Sequence, residues 1–149
     1  MSQRDGKNSM QVTHLGNLTL SGTTPAASAW VDTREFNEVT LFPVINTVTD
    51  AGTAAGFSFE VQESDTTAAS AATAVADAEL VGLESALTVT SDSADNSVSG
   101  GIGYIGSKRY VRLVATGTTG TDADVSVIAS TGAASYEPRA FVGTSVAAT

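Results

Sequence analysis

This chain of 149 residues has no cysteine, one histidine, one tryptophan and three prolines, and only 15% of it is charged. The absence of cysteine excludes disulfides and thiolate metal sites. With His14 as the sole histidine, histidine-rich metal centres are excluded too. A Ser-His-Asp triad would have to use His14, and the Gly-x-Ser-x-Gly elbow that presents such a serine does not occur. Cations are scarce: seven Lys and Arg face sixteen Asp and Glu, a net charge of −9. That balance excludes nucleic-acid binding by phosphate neutralisation and argues against docking on anionic lipid. Apolar runs reach four or five residues, against about 20 for a bilayer span. The opening MSQRDGKNSM has no apolar core of a secretory signal, so synthesis in a cytoplasm is the default expectation.

What the chain does have is small residues. Ala, Thr, Ser and Gly make up half of it. Charge below the roughly 25% of an ordinary soluble domain suggests a surface partly covered by partners. The length fits one domain.

Alternation with a period of two recurs along the chain. Phe57–Glu63 (FSFEVQE) sets Phe57, Phe59 and Val61 on one face and Ser58, Glu60 and Gln62 on the other. Met10–Leu20 reads as a strand broken by Gly16, and Ser28–Asp32 as a short one carrying Trp30. Glu38–Ile45 is β-branched and aromatic, with Pro43 pointing to an edge or a bulge. Ala86–Thr90 reads as a short strand and 91–101 as a loop. Segments 101–106, 108–117 and 123–131 then read as consecutive antiparallel strands joined by tight turns. Residues 64–83 are rich in Ala but also in Ser, Thr and Asp, without an apolar stripe. They read as a long loop with at most one helical turn near Asp77–Val81. The expectation is an all-β, single-domain antiparallel β-sandwich, jelly-roll-like, over residues 11–142. A flexible N-terminal arm (1–10) and a fraying tail (143–149) flank it. Its core should contain Phe57, Phe59, Val61, Val111, Leu113, Val125 and Val127.

Several constellations invite a chemical reading. Asp92-x-x-Asp95-Asn96 has oxygen ligands but lacks the alternation, central Gly and distal Glu of a calcium loop. Gly101, Gly103 and Gly106 spell Gly-x-Gly-x-x-Gly, but a strand follows them where a dinucleotide site needs a helix. No catalytic set, cofactor or metal is therefore expected. Charge is segregated: Glu35 to Ser107 holds eleven acidic residues and no Lys or Arg. This stretch reads either as a solvated acidic face or as one that meets basic residues of a neighbouring subunit. Lys108-Arg109-Tyr110-Val111-Arg112 is the most distinctive string. On a strand it is either a cationic ladder on a sheet surface or an interface strand with Arg and Tyr anchors. With Arg34 added, Lys108, Arg109, Tyr110 and Arg112 are the candidate interface residues.

The ordered stretches Phe57–Asp65 (FSFEVQESD), Ala76–Gly82 (ADAELVG) and Gly103–Ala129 (beginning GYIGSKRYVRLVATGT) cover about a third of the chain. In that order they resemble small proteins encoded in the head-gene region of tailed bacteriophages, described as head decoration, cement or minor structural proteins. The Gly103–Arg112 string carries the specific part of the likeness. The chain departs from that group after Asp65, where a compact turn is replaced by TTAASAATA, and in its tail SYEPRAFVGTSVAAT. The resemblance implies a non-enzymatic virion protein on the capsid exterior, partnered by the major capsid protein. Such a protein stabilises the assembled shell by mass action. Lattice symmetry then suggests self-association, as a trimer first and a dimer second, with the arm 1–10 as a clasp. A carbohydrate- or host-surface-binding sandwich displayed on a virion is the alternative.

Overall fold

The computed structural model describes residues 10–134. The expected tail 143–149 and all of the expected arm but Met10 lie outside the described residues; Met10 itself opens the first strand. In chain order the strands are β1 (Met10–Ser21), β2 (Ala26–Ala27), β3 (Val31–Asp32), β4 (Phe36–Asp50), β5 (Ser58–Ser64) and β6 (Thr73–Ala74). Then follow β7 (Leu80–Val81), β8 (Ser97–Val98), β9 (Ile102–Tyr104), β10 (Tyr110–Thr116) and β11 (Asp122–Ala134). A six-stranded sheet runs β1-β11-β4-β9-β7, with β8 beside β4. A five-stranded sheet runs β2-β10-β5-β6, with β3 beside β10. Every pairing is antiparallel. The fold is an all-β sandwich.

Alternation explains the core. Odd-numbered β11 residues Val125, Val127 and Ala129 point inward with Leu41 and Ile45 of β4. They meet Phe59 and Val61 of β5 and Val111, Leu113 and Ala115 of β10. All seven residues expected in the core are buried. Phe57 and Phe59 pack edge to face with ring centres 5.9 Å apart, a favoured aromatic geometry.

Several local expectations change. Pro43 lies at neither edge nor bulge but inside β4, between β11 and the β8/β9 side. A strand residue aims its N–H and C=O the same way, and the Pro43 carbonyl accepts from Ser99 N at 3.2 Å. Its missing donor therefore faces the gap between β9, which pairs Val39–Leu41, and β8, which pairs Val44–Ile45. The break expected at Gly16 is a bulge: register slips between His14 and Gly16, where Gly16 has φ 121°. This slip exchanges the faces, so Met10 and Val12 are exposed while Leu15, Leu18 and Leu20 are buried.

Residues 86–90 are not a strand. Glu84–Leu87 form a 3₁₀ turn and Val89 makes a single bridge to Phe57. That turn brings Glu84 Oε1 to accept from Val61 N at 2.6 Å, filling the free side of β5. Burial raises the Glu84 carboxyl above its ordinary range, outweighing that hydrogen bond, and the charges of Glu60 and Asp77 add to the rise. The turn expected near Asp77 is present as Asp77–Glu79, but residues 64–83 are not a loop with one turn: they hold a second turn at Ala69–Ala71 and the strands β6 and β7, and the loop 91–101 contains β8. Finally, β9, β10 and β11 are not sheet neighbours, since β10 belongs to the smaller sheet. The β10–β11 connection crosses the sandwich, held by Thr121 Oγ1, which accepts from Thr118 N and donates to Ala51 O.

One buried polar contact ties the sheets. Tyr104 on β9 donates its hydroxyl to Glu63 Oε2 on β5 at 2.6 Å and accepts from Lys108 N at 2.9 Å. Burial, then the Glu63 hydrogen bond and charge, push the Tyr104 phenol well above its ordinary value of 10.0. A raised folded-state value means this stabilisation is complete below pH 10 and is lost as pH rises through the folded-state value.

Truncation of Phe59 to Ala should cost about 3–5 kcal/mol in chemical denaturation. Tyr104→Phe should cost about 1.5–3 kcal/mol at neutral pH, because the Glu63 carboxylate loses its donor inside the sandwich. Above about pH 10 the wild type should lose stability more steeply than Tyr104→Phe, measured by urea midpoints across pH.

Candidate functional site

The string from Gly103 to Arg112 first serves the fold. Gly106 lies against the Tyr104 ring, where a Cβ would come within 2.5 Å of the hydroxyl, so the loop 105–108 can wrap that side chain. Gly101 lies under Phe42, where a Cβ would meet the ring at 2.5 Å, and Gly103 lies against Val81. The three glycines of the apparent dinucleotide fingerprint thus make room for three side chains.

Past this corner, β10 turns Val111, Leu113 and Ala115 inward and Tyr110 and Arg112 outward. All five expected interface residues lie on or beside the smaller sheet. Arg109 makes a two-pronged contact with Asp32, at 2.8 Å from Nη2 and 3.2 Å from Nε, and its guanidinium lies 4.8 Å from the Tyr110 ring centre. Arg34 approaches the same carboxylate at 3.7 Å. Lys108 Nζ meets Asp65 at 2.5 Å, and this hydrogen bond, then the charge behind it, raises the ammonium's pKa. Arg112 donates to Gln62 Oε1 at 2.8 and 3.1 Å and stacks 4.4 Å above the Trp30 ring. Burial lowers the Arg112 guanidinium below its ordinary value. The indole N–H of Trp30 donates to Thr67 O at 3.0 Å.

Each of these cations has a partner within the chain. Sequence segregation of charge is undone by folding: Asp65, from the acid-only stretch, lies against Lys108. The partners Asp32, Gln62, Asp65 and Trp30 carry no sequence signal, because they meet the string only through β-pairing such as Asp32 with Tyr110 and Gln62 with Arg112. The paired side chains of Arg34, Lys108, Arg109, Asp32 and Asp65 are 41–66% exposed, so these ion pairs contribute little to stability and can exchange partners.

The six-stranded sheet presents a different surface. Its outer face carries Glu38 at one end and Asp124 at the other. Between them the register aligns Val12, Ser130, Thr40, Gly103 and Val81 in one row, and His14, Ile128 and Phe42 in the next. Val44 and Val98 stand beside them. No carboxylate, Lys or Arg occupies these rows, and Val12, Val81 and Val98 are 59–60% exposed.

Two further features are polar. Asp92 and Asp95 are taken up by the backbone, their carboxylates accepting from Ala51 N at 2.8 Å and Val48 N at 2.5 Å. They cap the end of β4. Among the described residues no three acidic or histidine side chains gather as metal ligands. A cleft of about 400 Å³ at one end of the sandwich is lined by Gln11, Thr13, Trp30, Asp32, Arg34 and Thr131, among others.

Trp30 is the sole tryptophan, so its fluorescence reports on the Arg112 stack. Arg112→Ala should change the emission and cost about 1–2 kcal/mol, the sum of a partly desolvated cation–π contact and a hydrogen bond. No protein-family model, curated protein or solved structure matches this chain.

Proposed function

We propose that this protein is a non-enzymatic structural component of a tailed-phage virion, a decoration protein that docks on the outer surface of the head. The observation that carries this reading is the uncharged outer face of the six-stranded sheet, in a molecule whose net charge is −9. A protein with excess carboxylates still offers one broad surface that loses no charge hydration on docking. Exposed valines and small residues let a partner backbone approach closely with little side-chain ordering. The head-gene resemblance on Gly103–Arg112 gives the partner class: the major capsid protein. Binding only to the assembled shell would oppose its disassembly. The cations beside Tyr110 lie on the other sheet, so they remain paired within the chain when the six-stranded sheet docks.

The second reading, a carbohydrate- or host-surface-binding sandwich, draws on the cleft that places Trp30 beside Asp32 and Gln11. Arg112 covers one face of the indole, which reduces the ring available to a sugar.

Heads lacking this protein, mixed with the purified chain, should take it up in regular array in electron micrographs and withstand higher temperature. Thr40→Glu, in the middle of the uncharged face, should weaken uptake at least tenfold, about 1.4 kcal/mol, with an unchanged melting temperature of the free protein. Glycan-array binding without head uptake would reverse the order of the two readings.

A further inference from the structure

A β-sandwich must manage its sheet edges, because an unpaired strand edge invites another chain. This protein manages nearly all of them. The outermost strand of the larger sheet at one side, β7, is two residues long, as are β2, β3 and β6 of the smaller sheet. The side of β5 away from β10 is filled where β6 does not reach: Phe57 bridges Val89, Val61 O accepts from Val75 N, and Val61 N donates to Glu84.

The exception is β1. It is twelve residues long and forms the other edge of the larger sheet. Its bulge carbonyl, Leu15 O, accepts from Ala29 N at 2.8 Å. Among the described residues, nothing pairs with the outer side of Met10–His14. The sequence there, MQVTH, contains no Lys, acid or Pro, and the bulge at His14/Gly16 limits the free edge to these five residues. Its flanking residues on β11, Ser130 and Gly132, are also uncharged.

We propose that two copies of this chain join through Met10–His14, forming an antiparallel β1–β1 pair about a two-fold axis at Val12. Charge and register together favour this occupant: in a molecule of net charge −9, Met10–His14 carries no carboxylate of its own, so a second copy pairs with it without like charges directly opposite. The pairing is self-complementary: Val12 faces its own copy, and Met10 faces His14 of the other molecule. A β-branched pair opposed across strands is stabilising. The two larger sheets become one, and their uncharged outer faces join into a single platform. The edge also chooses the symmetry. One free edge pairs with one other edge, so a two-fold closes the contact, whereas a three-fold would need a second free edge on each copy. The inference does not rest on the head-surface reading, because the dimer forms in the free protein.

The absence of cysteine makes the test direct. In the full chain, Val12→Cys supplies the only thiol, and across the two-fold its counterpart lies about 5 Å away. A short bis-maleimide should convert Val12→Cys largely to covalent dimer. Val98→Cys, equally exposed but at β8, should remain uncoupled at the same concentration. Sedimentation of the wild type should show a reversible dimer, and Val12→Lys should weaken it at least tenfold while keeping the same melting temperature. A wild type that sediments as a monomer up to about 100 μM, well above the micromolar range of modest interfaces, would overturn the proposal. So would equal cross-linking of the two cysteine variants. Loss of head uptake with the dimer intact would instead count against the docking reading alone.

Discussion

The hydroxyl of Tyr104 sits where the two sheets and the loop after β9 converge, and much of the molecule is arranged around keeping it satisfied. A carboxylate inside a sandwich is costly unless it is hydrogen-bonded. Glu63 points inward from β5 because it shares a face with Phe59 and Val61, and Tyr104 supplies its donor at 2.6 Å. The same oxygen then needs its own donor, which Lys108 N provides at 2.9 Å. Closing that contact bends residues 105–108 around the ring and requires Gly106 beneath it. The bend delivers the chain from the larger sheet to the smaller one, so that β10 begins at Tyr110 in register with Ser64.

The cationic string follows from this corner. Because Lys108 is held by its backbone amide and Val111 by burial, Arg109, Tyr110 and Arg112 have their directions set before any partner arrives. They use that placement internally, on Asp32, Trp30 and Gln62. The sandwich therefore has two unlike outer surfaces. The smaller sheet carries paired charges and a stacked Trp–Arg couple. The larger sheet carries rows of Val, Ile, Phe, Ser, Thr and Gly, with carboxylates only towards its ends.

Period-two patterning made the core legible. Phe57, Phe59 and Val61, with Val111, Leu113, Val125 and Val127, are named correctly by alternation alone, since burial on one face of a pleated strand requires nothing else. Of the five residues of the candidate surface, Arg34, Lys108, Arg109 and Arg112 stand out in the sequence because they are cations in a cation-poor chain. Their partners do not. Asp32 and Gln62 look like any other polar residues until register sets them opposite Tyr110 and Arg112. Pro43 misled for a related reason: whether a missing donor matters depends on which neighbour it faces, and β8 and β9 leave a gap there.

By itself the sequence determined that this chain builds strands, which side chains they bury, and that thiolate or multi-histidine chemistry is closed to it. These are properties of composition and of spacing along one strand. Tertiary structure decided which strands share a sheet, because alternation records burial without naming a partner. Consecutive segments 102–104, 110–116 and 122–134 alternate between the two layers for that reason. It also decided that the segregated charges meet within one molecule, and that, among the described residues, Met10–His14 of β1 is left as an unpaired edge. Long-range pairing settles those outcomes, and long-range pairing is written in the geometry of the sheets.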